Sequence, residues 1–143
     1  MEIILAENHG FCYGVKRAVE MADEAANSDR KSYTLGPIIH NPQVVGRLES
    51  KGVSPIQEVA DIDEGTMIIR SHGVGPAIYA EAEEKGLHIL DATCPHVKKA
   101  QQDAKSVIED GMTLVILGEK NHPEVKSINL WANNKGIIIE DEE

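Results

Sequence analysis

The sequence predicts an α/β protein of pseudo-symmetric modules with mainly parallel sheets, one module complete and the second truncated. Three observations predict it. Short β-rich runs alternate with stretches of helical spacing, which is the pattern of strands joined by crossover helices. Apolar residues make up 41% and charged residues 27% of the 143 positions, an ordinary globular balance without a membrane-spanning run. The chain also resembles itself at one fixed distance: Cys12 to Cys94, Gly36 to Gly118 and His40 to His122 are each 82 positions apart (94 − 12, 118 − 36, 122 − 40).

Taken in order, Ile3–Ala6 reads as a first strand with no basic segment ahead of it, so it does not look like a secretion signal. Val15, Ala18, Val19, Ala22, Ala25 and Ala26 recur at helical spacing. Strands are expected at Ser32–Leu35, Met67–Arg70, His88–Leu90, Thr113–Leu117 and Gly136–Ile139. Short helices fit Pro42–Ser50, Pro76–Lys85 and Pro123–Ala132, each opened by a proline that suits the first helical turn, with Gly52, Gly86 and Gly111 as stops. Val97, Ala100, Ala104, Val107 and Ile108 mark a second long helix. Both long helices are expected to pack on the sheet. Asp61–Glu64 and Glu140–Glu143 read as a solvated loop and a solvated tail.

The 82-residue register also matches Val15 with Val97, Lys16 with Lys98, Ala18 with Ala100, Ala22 with Ala104 and Leu35 with Leu117. Helix composition explains repeated alanines and valines, but not a cysteine and a histidine in the same register. The repeated unit is strand, Cys, helix, strand, Leu-Gly-x-x-x-His, helix. Residues 1–93 form the first module and 94–143 an incomplete second one, so the chain reads as a piece of a longer protein with a further cysteine beyond Glu143.

Lys and Arg total 14 against 24 Asp and Glu, a formal charge of −10. Such a balance opposes phosphate-backbone binding, so nucleic acid is a poor first guess. Neither a P-loop nor a Gly-x-Gly-x-x-Gly fingerprint occurs. Two cysteines are too few for a secreted disulfide framework, which points to a cytoplasmic protein with free thiols or metal ligands. Cys12 and Cys94 each lie between a strand and a helix, where unpaired N–H groups and the helix dipole favour thiolate. Without a Cys-x-x-Cys, the pair suits an iron–sulfur cluster or a mixed Cys/His zinc site, with two buried, unrelated cysteines as the bland alternative.

His40, His72 and His122 each follow a strand and precede a helix, so all three should project from the sheet edge that carries the cysteines. Three imidazoles there suit either a metal or, protonated, a phosphate-type anion; a lone loop histidine is more often merely solvated. His9, His88 and His96 lack this context. Glu124 lies in the first turn of a helix, where the dipole favours a carboxylate in any case, but beside His122 it also suits proton donation. Lys16, Lys98 and Lys99 read as solvated helix faces.

Five motifs, Gly10-Phe11-Cys12-Tyr13-Gly14-Val15, Gly36-Pro37-Ile38-Ile39-His40-Asn41-Pro42, Arg70-Ser71-His72-Gly73-Val74, Asp91-Ala92-Thr93-Cys94-Pro95 and Asn121-His122-Pro123-Glu124-Val125, resemble the N-terminal half of the 4-hydroxy-3-methylbut-2-enyl diphosphate reductase family. The resemblance implies an iron–sulfur oxidoreductase of the methylerythritol phosphate route to isoprenoids, which reductively dehydroxylates an allylic diphosphate to isopentenyl and dimethylallyl diphosphates. It implies three α/β domains around a 4Fe-4S cluster held by three cysteines, with Cys12 and Cys94 as two of them. His40, His72 and His122 would surround the diphosphate, Glu124 would deliver a proton, and a donor such as ferredoxin or flavodoxin would supply electrons. The family's third cysteine, its later Ser/Asn diphosphate motif and its threonine do not occur before Glu143, so the piece alone is expected to be inactive. Lys126–Trp131 also lacks the glycine often found after the glutamate. A zinc hydrolase using the cysteines and histidines, and a non-catalytic folding or interaction domain with free thiols, are the competing readings.

Overall fold

Proline at the first position starts α2 (Pro42–Ser50), α3 (Pro76–Glu84), α4 (Pro95–Glu109) and α5 (Pro123–Trp131), where the missing N–H has no intrahelical partner to lose. The computed structural model describes residues 2–7 and 9–141. Its remaining elements are α1 (Tyr13–Ala26), β1 (Ser32–Leu35), β2 (Val53–Ile56), a 3-10 turn (Val59–Asp61), β3 (Thr66–Ile69), β4 (His88–Asp91), β5 (Val115–Leu117) and β6 (Ile137–Ile139). Five helices and a parallel sheet bear out the α/β prediction.

The larger sheet has the order β2-β1-β3-β4, with every pairing parallel. Its centre is β3, buried at all four positions, as a strand covered on both faces must be. The two-residue period of the strand divides it between two cores. Ile68 faces Ala18, Val19 and Ala22 of α1 and Leu48 of α2. Met67 and Ile69 face the opposite cluster, which includes Val59, Val74, Ala82 and Leu87. The larger fully buried side chains among them, Leu48, Met67, Ile68 and Ile69, are each worth about 1.5–3 kcal/mol of transfer free energy.

The second sheet is smaller. Strands β5 and β6 pair in parallel, Val115 opposite Ile137 and Leu117 opposite Ile139. The succession α4-β5-α5-β6 repeats α1-β1-α2-β2, including the parallel pairing of its two strands. Even the first backbone bonds agree: the Lys16 N–H donates to Cys12 O and the Lys98 N–H to Cys94 O, both at 2.9 Å.

Three expectations need correction. Residues 3–6 form no strand: Ile3, Ile4 and Leu5 are 75%, 82% and 76% exposed, and no ladder partner for them occurs among the described residues. A run of β-formers states a preference, but a strand exists only when a neighbour supplies its hydrogen bonds. Strand β2 is not among the strands expected from the sequence; its Pro55 is tolerated since β2 is an edge, with one side free of pairing among the described residues. Helix α4 takes α5 as its principal neighbour, not the larger sheet. Glu142 and Glu143 of the acidic tail lie outside the described residues, and Asp61 of the acidic loop caps the 3-10 turn by accepting from the Gln57 and Glu58 amides.

Candidate functional site

Parallel strands send all their C-terminal ends to one edge, so the loops after β1, β3 and β4 emerge side by side. Backbone bonds then tie them together. Ser71 donates from its amide and its hydroxyl to Ile38 O, and the Cys94 amide donates to Ser71 O at 2.9 Å. Ile38 and Ile39, 1% and 3% exposed, pin the first loop to the core and leave the next residue, His40, at the surface. Asn41 then caps α2, its side chain accepting from the Val44 amide.

The structure brings His40, His72 and His122 together. One ring nitrogen from each lies within 4.8 Å of the others. Their ring centroids are 4.7, 5.6 and 6.2 Å apart. His40 is exposed and the other two are half-buried. His122 arrives from the loop after β5 because it caps α5, its Nδ1 accepting from the Glu124 amide at 3.2 Å. That bond puts the neutral ring's proton on Nε2, which makes His122 a donor towards a ligand and not a lone-pair ligand for a cation.

His72 is the electrostatic centre of the group. Burial, and then the charges of His40, Arg70 and His122, push its pKa down to about 4. At neutral pH it is uncharged: taking the ring out of water disfavours its charged form, and the nearby Arg70 guanidinium disfavours it further. Its Nδ1 is buried without a hydrogen-bond partner. Arg70, to which the sequence reading gave no role, is half-buried on the same loop, and its Nε is likewise buried and unpartnered. A guanidinium nitrogen can only donate, so what is missing there is an acceptor, as an anion would be. Gly36 makes room for that guanidinium: a Cβ there would lie 2.8 Å from Nη1, and φ is +70°.

Both cysteines are free. Cys12 is the N-cap of α1 and Cys94 the N-cap of α4, and neither side chain makes a capping hydrogen bond. The two helix starts meet: a Cβ on Gly14 would lie 2.4 Å from Cys94 Sγ. Arg17 of α1 holds the same junction, donating to Thr93 O and Asp91 O. Phe11 and Val15, on either side of Cys12, line a cavity of about 220 Å³ with Ile39, His40, Asn41, Ser71 and His72. The residues flanking Cys12 thus line one cavity with the imidazoles of His40 and His72. Two uncapped sulfurs at adjoining helix N-termini, with space kept by Gly14, fit a thiolate-held cluster as two of its ligands. Neither sulfur joins the three-histidine group, which weighs against a mixed Cys/His zinc site.

Glu124 is half-buried in the first turn of α5, two residues from His122. Among the described residues His9 bonds to Ala6 O, and His88 faces Thr66 on β3, away from this rim. The sequence reading also missed Gln101 and Ser127, 1% and 2% exposed, which sit behind the rim between α4 and α5. A polar residue at the buried position of a helical period, as Gln101 is between Val97 and Ala104, was the available signal.

Residues 3–143 match the family model described as LytB protein. The 4-hydroxy-3-methylbut-2-enyl diphosphate reductase of Pelobacter propionicus is 52% identical over 139 residues, which cover 97% of this chain and 50% of that protein. The reductase of the same name from Geobacter metallireducens is 50% identical over 143 residues, 100% of this chain and 51% of that protein. Among solved structures, one described as the (E)-4-hydroxy-3-methyl-but-2-enyl diphosphate reductase, the terminal enzyme of the non-mevalonate pathway, superposes with a TM-score of 0.83. It is 49% identical, covering 97% of this chain and 51% of that one. The structure of the Plasmodium falciparum reductase gives a TM-score of 0.89 at 31% identity, covering 94% of this chain and 43% of that one. The chain thus spans about half the length of the curated relatives it matches.

Proposed function

The chain belongs to the LytB protein family, and on that premise we propose that it supplies one wall of the active site of a 4-hydroxy-3-methylbut-2-enyl diphosphate reductase. The reaction is the two-electron, two-proton removal of an allylic hydroxyl as water, which yields isopentenyl and dimethylallyl diphosphates. The observation that carries this reading is the convergence of three imidazoles within 4.8 Å, with the uncapped N-cap Cys94 tied through its amide to Ser71 O next to His72.

Cys12 and Cys94 would hold an iron–sulfur cluster of the 4Fe-4S type, with a third thiolate from outside this chain. Bound there, the cluster would supply the electrons and a Lewis-acidic iron for the hydroxyl. The chain's own residues bind and orient the substrate. His122 donates from Nε2 and Arg70 offers an unpaired N–H, both suited to diphosphate oxygens. His72 enters neutral, and an anion against it favours protonation, so binding and proton uptake are coupled. The Arg70 guanidinium also offsets part of the chain's overall charge of −10, which would otherwise repel the substrate. Glu124, beside His122, is placed to pass a proton to the departing hydroxyl. Electrons would come from a carrier such as ferredoxin or flavodoxin. Residues 1–93 form one module and 94–143 the start of a second, in a protein that works in the cytoplasm; no helix among the described residues is long and apolar enough to cross a membrane.

The test has two arms. Calorimetry with inorganic pyrophosphate should show binding that is lost in His72→Ala and His122→Ala. Anaerobic iron and sulfide reconstitution of the full-length reductase should give a cluster signal in electron paramagnetic resonance that Cys12→Ser and Cys94→Ser each abolish. Zinc bound in place of iron and sulfide would instead support the hydrolase reading. Free thiols in the full-length protein, together with indifference to pyrophosphate, would support a non-catalytic domain.

A further inference from the structure

A rim built from two modules works only if something holds the modules in register. His72 belongs to the loop after β3, whereas His122 and Glu124 begin α5. Specific hydrogen bonds join them. Ser127 Oγ lies 2.8 Å from His72 O and 2.9 Å from Glu124 O, and Gln101 Nε2 donates to the same oxygen at 3.2 Å. The hydroxyl has one proton. With Gln101 occupying a lone pair, that proton is divided between the carbonyl inside its own helix and the carbonyl of His72 in the other module. Gln101 also packs on the backbone that follows His72: a Cβ on Gly73, at φ +71°, would lie 2.4 Å from Nε2. Trp131 Nε1 donates to Val74 O at 2.9 Å, and Leu130 covers Gly75, where a Cβ would lie 2.8 Å from its side chain.

We infer that Ser127 and Gln101 are a positioning pair, which sets the distance between His72 and the His122–Glu124 turn and so the fit of the rim to a diphosphate-class anion. The inference rests on the anion reading of the rim proposed above. Among the described residues the Ser127 hydroxyl hydrogen-bonds to the His72 and Glu124 carbonyls and to Gln101, so it acts through His72 and Glu124 and not on the ligand itself. Removing it leaves His72 O without its cross-module donor and the buried Gln101 amide without an acceptor.

The experiment uses the 143-residue chain, inorganic pyrophosphate and two readouts. Calorimetry gives affinity; NMR of the imidazole rings gives the His72 titration midpoint without ligand. Ser127→Ala should weaken pyrophosphate binding about 5- to 30-fold and move the His72 midpoint up towards its ordinary value as the loop loosens and hydrates. Gln101→Met, which keeps the volume but removes the donor, should cost less. The double variant should bind no worse than Ser127→Ala, because Gln101 acts through the hydroxyl. Wild-type affinity and an unchanged midpoint in Ser127→Ala would overturn the inference, as would losses that multiply in the double variant. If the parent chain ignores pyrophosphate, the anion reading fails, and the shift of the midpoint alone still decides whether the pair positions His72.

Discussion

Acidification is expected to destabilise the protein through His72. Its pKa is about 4 in the folded state against an ordinary 6.5, first because the ring is buried and then because His40, Arg70 and His122 surround it. The unfolded chain therefore takes up a proton that the folded one declines. Stability is intact above about pH 6.5, falls as the pH drops from there towards 4, and levels off below. At about 1.4 kcal/mol per unit the ceiling is roughly 3 kcal/mol. Solvent reaches part of the ring, which lowers the expected loss to about 1–2 kcal/mol. The assay is urea unfolding, followed through the fluorescence of the single tryptophan, Trp131, whose indole N–H is anchored on Val74 O two residues from His72. Wild type and His72→Asn are compared from neutral pH to about pH 4.5. The wild type should lose stability across that window and the asparagine variant should lose about 1–2 kcal/mol less. Saturating pyrophosphate should flatten the wild-type slope, since an anion against the ring favours its protonation. Parallel slopes in the two proteins would refute the account of His72 as a buried, electrostatically crowded imidazole.

Asp91 is held below the ordinary carboxylate range: burial raises it, but hydrogen bonds from Lys98 and Thr93 outweigh that. Its stabilisation is present above about pH 3.8 and lost as the pH falls below that value, so Asp91→Asn should cost about 1–2 kcal/mol at neutral pH and remove part of the acid limb, with faster alkylation of Cys94 as the second readout. Gly14→Ala places a carbon 2.4 Å from Cys94 Sγ, which should destabilise the chain by about 1–3 kcal/mol in thermal melts and reduce iron uptake on reconstitution of the full-length reductase. Val115, Leu117, Ile137 and Ile139 expose 54%, 79%, 54% and 41% of their surface on one face of the small sheet. The chain should therefore self-associate in sedimentation, and Leu117→Lys with Ile139→Lys should make it monomeric; an unchanged sedimentation coefficient would show that another surface is responsible.

Much of the fold was legible because its signals are local. The two long helices follow from apolar spacing, the short ones from their prolines, and the repeat from a register that a cysteine, a glycine and a histidine keep in common. The family resemblance, carried by five motifs, agrees with the family match over residues 3–143. Strand pairing was harder. Ile3–Ala6 has the composition of a strand and β2 does not, yet only β2 has a partner; pairing depends on which backbone lies alongside.

Taken alone, the sequence determined the α/β class and the family, and it set out the 82-residue register and the helix starts at which the cysteines stand. Periodicity, capping residues and the parallel βα order suffice for these, since each is written within a few residues of where it acts. Only the tertiary structure decided that His72 is neutral, that His122 presents Nε2, that Arg70 has a donor to spare, and that Gln101 and Ser127 bridge the modules. Protonation and hydrogen-bond pairing depend on how much water and which charges surround a group. Those surroundings come from residues far away in the chain: Gln101 meets Ser127 across 26 positions and Ser127 meets His72 across 55.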